Sequence, residues 1–135
     1  MTSTHNILIV DDEAHILQVL SLKLRNCGYS ITTAVDGEDA LHQVKENPPD
    51  LVITDVQMPY MNGLEFALAL SNSSETANIP VIVLTARGHT LETSDTDIPN
   101  VRKVLSKPFS PRGIAELCAQ LLVDVPCRDG KRDVA

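Results

Sequence analysis

Four short strand-like runs, each ending in a polar group suited to chemistry, constrain this chain more than any other feature. Ile7-Leu8-Ile9-Val10 leads into Asp11-Asp12-Glu13, and Leu51-Val52-Ile53-Thr54 ends in Asp55. Val81-Ile82-Val83-Leu84 ends in Thr85, and the run from Val101 to Leu105 leads into Ser106-Lys107-Pro108. Near-continuous apolar strands of this kind fit a parallel sheet covered on both faces. Ser30 to Val35 reads as a further, half-buried strand.

Helical patterns fill the intervals. Ile16, Leu17, Leu20, Leu24 and Cys27 recur at helical spacing, and Gly28 follows where a helix C-terminus favours glycine. Asp36-Gly37 makes a turn into the pattern Ala40, Leu41, Val44, which Pro48-Pro49 stop. Asn62-Gly63 precede an apolar helix through Leu64, Phe66, Ala67, Leu68 and Leu70. Ile114, Leu117, Leu121 and Leu122 mark the last helix, with Ser110 as its cap and Pro111 in its first turn. Strands alternating with helices predict an α/β fold with parallel strands, because each crossover returns the chain to the same edge. Ligands in such sheets bind beyond the carboxyl ends of the strands, where Asp11, Asp12, Asp55, Thr85 and Lys107 all fall.

A chain of 135 residues, 43% hydrophobic, suits one compact domain. No apolar stretch approaches the roughly 20 residues needed to span a bilayer, and the start has no basic region leading into an apolar segment. The expectation is a soluble cytoplasmic protein. A net charge of −7 with no basic cluster opposes direct binding to nucleic acid or anionic membrane. Cys27, Cys118 and Cys127 match no familiar zinc spacing, and Cys27 and Cys118 read as helix-packing residues. His5, His15, His42 and His89 lie in separate segments and none reads as catalytic.

Clustered Asp11, Asp12 and Asp55 would repel one another unless a cation neutralises them. Few carboxylates on open loops, with room for water and substrate oxygens, favour Mg²⁺ over a Ca²⁺ cage. With the charge screened, an Asp55 oxygen can attack an incoming phosphoryl group, while Lys107 and Thr85 hold the phosphoryl oxygens. The bland reading of Asp11-Asp12-Glu13 is an acidic cap on the helix that follows.

The motifs Ile7-Leu-Ile-Val-Asp-Asp-Glu13, Val52-Ile-Thr-Asp-Val-Gln-Met-Pro59 with Asn62-Gly63, Leu84-Thr-Ala86 and Ser106-Lys-Pro-Phe109 resemble the receiver domain of two-component response regulators. Four motifs in order, each at a strand end, are specific. The resemblance covers residues 5 to 124, leaving 125 to 135 as a polar tail expected to be disordered. It implies a doubly wound, flavodoxin-like (βα)5 fold with strand order 2-1-3-4-5. It further implies phosphotransfer from a sensor histidine kinase or histidine phosphotransfer protein to Asp55. Asp12 would be a direct Mg²⁺ ligand, Asp11 a ligand through water, and Gln57 a ligand by its backbone carbonyl. Thr85 and Lys107 would sense the phosphoryl group, and Lys107-Pro108 resembles the family's cis peptide. The chain would catalyse only its own phosphorylation and dephosphorylation, and would act on an unknown downstream protein.

Two departures from the pattern fall between Gly88 and Lys107. Thr90, Thr93, Ser94, Asp95, Thr96 and Asp97 form helices poorly, so the fourth helix, over 88 to 100, is expected to be short or irregular. Three residues before Lys107 the family usually carries an aromatic that swings inward, and this chain has Val104. Transmission is therefore expected to run through ordering or movement of residues 86 to 104. Gln57 and Arg87 flank the expected phosphoryl position and are candidates for setting its lifetime. The alternative reading is a Mg²⁺-dependent phosphohydrolase of another α/β family. Such enzymes usually follow the nucleophile with a second carboxylate two residues on, and here that residue is Gln57.

Overall fold

The computed structural model describes residues 5–56, 61–85, 98–106 and 109–123. Its elements are β1 (Asn6–Val10), α1 (Ala14–Asn26), β2 (Ser30–Ala34), α2 (Gly37–Glu46), β3 (Leu51–Asp55), α3 (Gly63–Ser71), β4 (Val81–Thr85), β5 (Val101–Ser106) and α4 (Pro111–Leu122). All strand pairs are parallel, and the sheet order is β2-β1-β3-β4-β5, as expected from the sequence. The expected irregular helix over 88 to 100 lies outside the described residues except for 98–100, which form a turn into β5.

Alternation along buried strands divides the aliphatic runs between two cores. Leu8, Val10, Val52, Val81 and Val83 face α2 and α3, where they meet Ala40, Val44, Phe66, Ala67 and Leu70. Ile7, Ile9, Leu51, Ile53, Ile82 and Leu84 face α1 and α4, meeting Leu20, Leu24, Ile114, Cys118 and Leu122. Each fully buried aliphatic side chain contributes about 1.5–3 kcal/mol from removal of apolar surface from water, so both layers hold the central strands rigidly. The carboxyl ends of those strands inherit that rigidity.

Local chemistry sets helix boundaries. Asp36 caps α2 by accepting the Asp39 N–H at 2.8 Å, and Ser110 caps α4 by accepting from Gly113 at 3.2 Å. Asn62 and Glu65 form a reciprocal capping box at the start of α3, with bonds of 2.8 and 2.9 Å. Gly28 follows α1 at φ 101°, a left-handed conformation that glycine adopts without a Cβ clash. On the outer strand β2, Gln43 Nε2 donates to the Thr33 carbonyl at 2.8 Å.

One residue differs from expectation. Cys118 is buried between the helices as anticipated, but Cys27 is exposed at the C-cap of α1. Its spacing keeps phase with Leu20 and Leu24, yet the helix ends at Asn26, so the phase no longer decides where the side chain points.

Candidate functional site

The site lies at the carboxyl ends of β1, β3 and β4. β1 and β3 are neighbours in register, with Val10 opposite Thr54, so Asp11, Asp12 and Asp55 emerge side by side. One carboxylate oxygen from each lies within 4.8 Å of the others. Asp11 is 1% exposed and Asp55 5%, while Asp12 is open to solvent. Two buried acids and one exposed one thus make an acidic cup.

Backbone contacts fix that cup. The Asp11 N–H donates to the Ala34 carbonyl at 3.1 Å, and Asp11 Oδ1 accepts the Glu13 N–H at 2.9 Å. This turn orients one Asp11 oxygen toward the chain. It also gives the capping interpretation a limited place, since Asp11 accepts from the N-cap residue while Glu13 itself makes no side-chain cap bond.

Asp55 is held from beneath. The β1 ladder stops at Thr54, so the Asp55 carbonyl lies one residue past its last partner in that strand. Thr54, wholly buried, donates its hydroxyl to that carbonyl at 3.0 Å. The next residue returns to the sheet, with the Val56 N–H bound to Leu84 at 3.0 Å, and the Val56 carbonyl accepts from Gly63 at 2.9 Å. Gly63 therefore sits against the end of β3. A Cβ there would lie 2.1 Å from the Asp55 carbonyl oxygen and 3.1 Å from Thr54 Oγ1. Gly37 is also closely packed, though less so, since a Cβ there would meet Met61 Cβ at 2.7 Å. Neither close approach is a local property, so no spacing in the sequence signals it.

Strand pairing puts Asp55 opposite Leu84, one residue before Thr85. Thr85 is 2% exposed, and its hydroxyl donates to the Leu105 carbonyl of β5 at 3.5 Å, a long and weak bond. Ser106 pairs with Thr85 and directly precedes Lys107 in the chain. Lys107, Pro108, Gln57 and Arg87 lie outside the described residues, as does the polar segment from 124 onward. Among the sequence-derived candidates, the structure thus joins Asp11, Asp12, Asp55 and Thr85 at one end of the sheet.

The donor set suits a small hard cation. Three carboxylates supply oxygen ligands only, and a divalent ion would relieve their mutual repulsion.

Known proteins agree with this geometry. The response regulator receiver domain profile matches residues 7–119. The phosphate regulon transcriptional regulatory protein PhoB of Pseudomonas aeruginosa is 36% identical over 119 residues, covering 85% of this chain and 49% of that relative. The alkaline phosphatase synthesis transcriptional regulatory protein PhoP of Bacillus subtilis is 34% identical over 108 residues, covering 80% and 44%. The chain thus spans about half the length of the curated relatives it matches. Among solved structures, a chemotaxis response regulator of Vibrio cholerae superposes with a TM-score of 0.81 at 31% identity, covering 89% of this chain and all of that one. A response regulator from Chloroflexus aurantiacus gives 0.82 at 31% identity, covering 90% and 99%. With its strand order, its acidic cup and the extent of these matches, the chain belongs to the response regulator receiver domain family.

Proposed function

We propose that Asp55 is the phosphoacceptor of a two-component or phosphorelay pathway, and that its phosphorylated state alters binding to a partner protein. The observation that carries this reading is the convergence of Asp11, Asp12 and Asp55 within 4.8 Å at the carboxyl ends of β1 and β3. Asp11, Asp12, Asp55 and the Gln57 carbonyl would hold Mg²⁺. When bound, the ion neutralises the acidic cup and the oxygens of the incoming phosphoryl group.

The chain's own residues do the rest. An Asp55 carboxylate oxygen forms the bond to phosphorus as the bond to the donor breaks, and the leaving group departs with the electron pair. Thr54 and Gly63 keep the Asp55 main chain in place, so the attacking oxygen needs little reorganisation. The Thr85 hydroxyl gives up its weak bond to Leu105 and donates to a phosphoryl oxygen, while Lys107 supplies a cation to another. The donor is a sensor histidine kinase or a histidine phosphotransfer protein. The chain catalyses only its own phosphorylation and dephosphorylation.

Acetyl phosphate with Mg²⁺, followed by intact mass measurement, tests this directly. One labile phosphoryl group is expected on the wild type and none on Asp55→Ala. No uptake, or uptake that survives the substitution, refutes it.

A further inference from the structure

One polar side chain interrupts the inward face of α1. Leu17, Leu20 and Leu24 turn toward the sheet, and Ser21 lies among them, only 6% exposed. A helical serine can satisfy itself by donating to the carbonyl four residues back. The Ser21 hydroxyl does not, and it has no hydrogen-bond partner among the described residues. A buried donor left unpaired is unfavourable, and alanine at this position would avoid the cost.

Ser21 forms the inner wall of a groove of about 320 Å³ between α1 and the edge strand β2. Thr33 enters from β2, on the same face as Ile31, which packs under α1. Leu17 and Leu22 make the apolar sides, and Gln18 and Arg25, both exposed, stand at the rim. The volume lies at the small end of the ~300–1,000 Å³ typical of binding clefts. Arg25 is the one charged residue lining the groove, and it makes no ion pair among the described residues. In the last turn of α1 it also complements the helix dipole, which calls for a cation but not for a hollow beside an unpaired hydroxyl. Gln18, Ser21, Leu22 and Arg25 are spaced three or four apart in succession, so a single ligand on this flank of α1 can touch all of them.

We propose that this groove binds a small organic acid carrying an oxygen acceptor beside its carboxylate and a short apolar chain, the character of a 2-hydroxy or 2-oxo acid. The Arg25 guanidinium takes the carboxylate, which its planar fork matches. Ser21 donates its hydroxyl to the second oxygen as the long Gln18 side chain swings aside to admit the ligand. The apolar chain lies on Leu17 and Leu22. One cation on a chain of net charge −7 selects a monoanion over a polyphosphate or nucleic acid. The site is separate from the acidic cup, because Thr33 pairs with Ile9, two residues short of Asp11, and the groove opens on the flank of the sheet instead of at its strand ends.

The probe is 2-hydroxy-4-methylpentanoate, titrated into the full chain while backbone amides are followed by NMR, without Mg²⁺ or phosphodonor. Three comparison ligands each change one feature: 4-methylpentanoate lacks the hydroxyl, 2-hydroxy-4-methylpentanamide lacks the charge, and acetyl-leucyl-glutamate amide presents a carboxylate as a partner chain would. Saturable shifts are expected at the amides of Ser21, Leu22 and Thr33. The hydroxy acid is expected to bind roughly 10-fold tighter than the acid without the hydroxyl, about 3-fold tighter than the amide, and tighter than the dipeptide. Ser21→Ala should remove the roughly 10-fold advantage of the hydroxyl while leaving 4-methylpentanoate binding unchanged, and its urea midpoint should be no lower than that of the wild type, since no buried donor is left unpaired. Arg25→Gln should make the hydroxy acid and its amide bind equally. Absence of saturable shifts at these amides with every acid overturns the site and leaves solvent as its occupant. An amide bound as tightly as the acid overturns the anionic class, and wild-type affinity for the hydroxy acid in Ser21→Ala overturns the role of the hydroxyl. Tighter binding of the dipeptide overturns the free ligand in favour of a partner chain. No phosphoryl chemistry enters the titration, so each of these outcomes leaves the receiver reading to its own test.

Discussion

Gly63→Ala is expected to lower both stability and the rate of Asp55 phosphorylation, although alanine is the better helix former. At the first residue of α3 the added Cβ would lie 2.1 Å from the Asp55 carbonyl oxygen, 3.0 Å from its carbonyl carbon and 3.1 Å from Thr54 Oγ1. Ordinary contact begins near 3.4 Å, so moving from 2.1 to 3.4 Å requires the helix start and the end of β3 to separate by about 1.3 Å. The two nearest opposed atoms are main chain, so rotating a side chain does not relieve the clash. Overpacking of this kind costs about 1–3 kcal/mol, which offsets the ~0.5–1 kcal/mol that alanine gains over glycine in a helix. A net loss of up to about 2 kcal/mol is expected. Displacing a reacting group by about 1 Å can cost roughly 100-fold in rate, so phosphoryl uptake from acetyl phosphate should fall by that order. Urea unfolding and a mass-resolved time course measure the two effects. Gly37→Ala is the control, because its Cβ would press on Met61 at 2.7 to 2.9 Å and leave Asp55 untouched. It should destabilise on a similar ~1–3 kcal/mol scale while changing the phosphorylation rate far less. A Gly63→Ala protein that is more stable than wild type and phosphorylated at the wild-type rate refutes the close-approach argument.

Other perturbations test separate features of the structure. Asp36→Ala removes the α2 cap and should cost about 0.5–2 kcal/mol in a denaturant melt, with Mg²⁺ binding unchanged. Saturating Mg²⁺ at about 100 times its Kd should raise wild-type stability by roughly 2.7 kcal/mol, and Asp11→Asn should remove most of that gain; an equal gain in both proteins contradicts metal binding in the cup. Without Mg²⁺, Asp12→Asn should be at least as stable as wild type, because it relieves repulsion among the three acids. Burial, with a smaller contribution from nearby Cys27, pushes the Cys118 thiol up to about 12. The reactive thiolate of Cys118 is then only on the order of 10⁻⁴ of the total at pH 8. Peptide mapping after alkylation of the native protein should find Cys27 modified and Cys118 protected, and equal labelling of the two contradicts the packing of α4.

Much of this architecture is legible in the sequence because burial on both faces leaves strands with no polar interruption. Ile7 to Val10 and Val81 to Leu84 read as strands for that reason, and the helix cap Ser110 is visible because capping is local. The division of each run between two cores cannot be read from the run itself, since both sets of residues are equally apolar. Cys27 departs from its expected burial because periodicity continues past Asn26 while the helix does not. At the site, Asp11, Asp12, Asp55 and Thr85 follow from their positions after the strands. The support given to Asp55 by Thr54 and Gly63 does not, because it depends on how α3 meets the end of β3. The basic pair Arg102 and Lys103 on β5 is hidden by the total charge, which averages over the whole chain.

The bond from Gln43 to the Thr33 carbonyl bears on how this protein behaves in concentrated solution. It occupies an acceptor on the outer side of β2, where an incoming strand from another molecule would otherwise find a partner. Stacking one copy onto another along that edge must first break a 2.8 Å hydrogen bond and displace a side chain anchored on α2. One glutamine thus guards the β2 edge, and its replacement by leucine is expected to leave the fold intact while inviting slow, concentration-dependent assembly through β2.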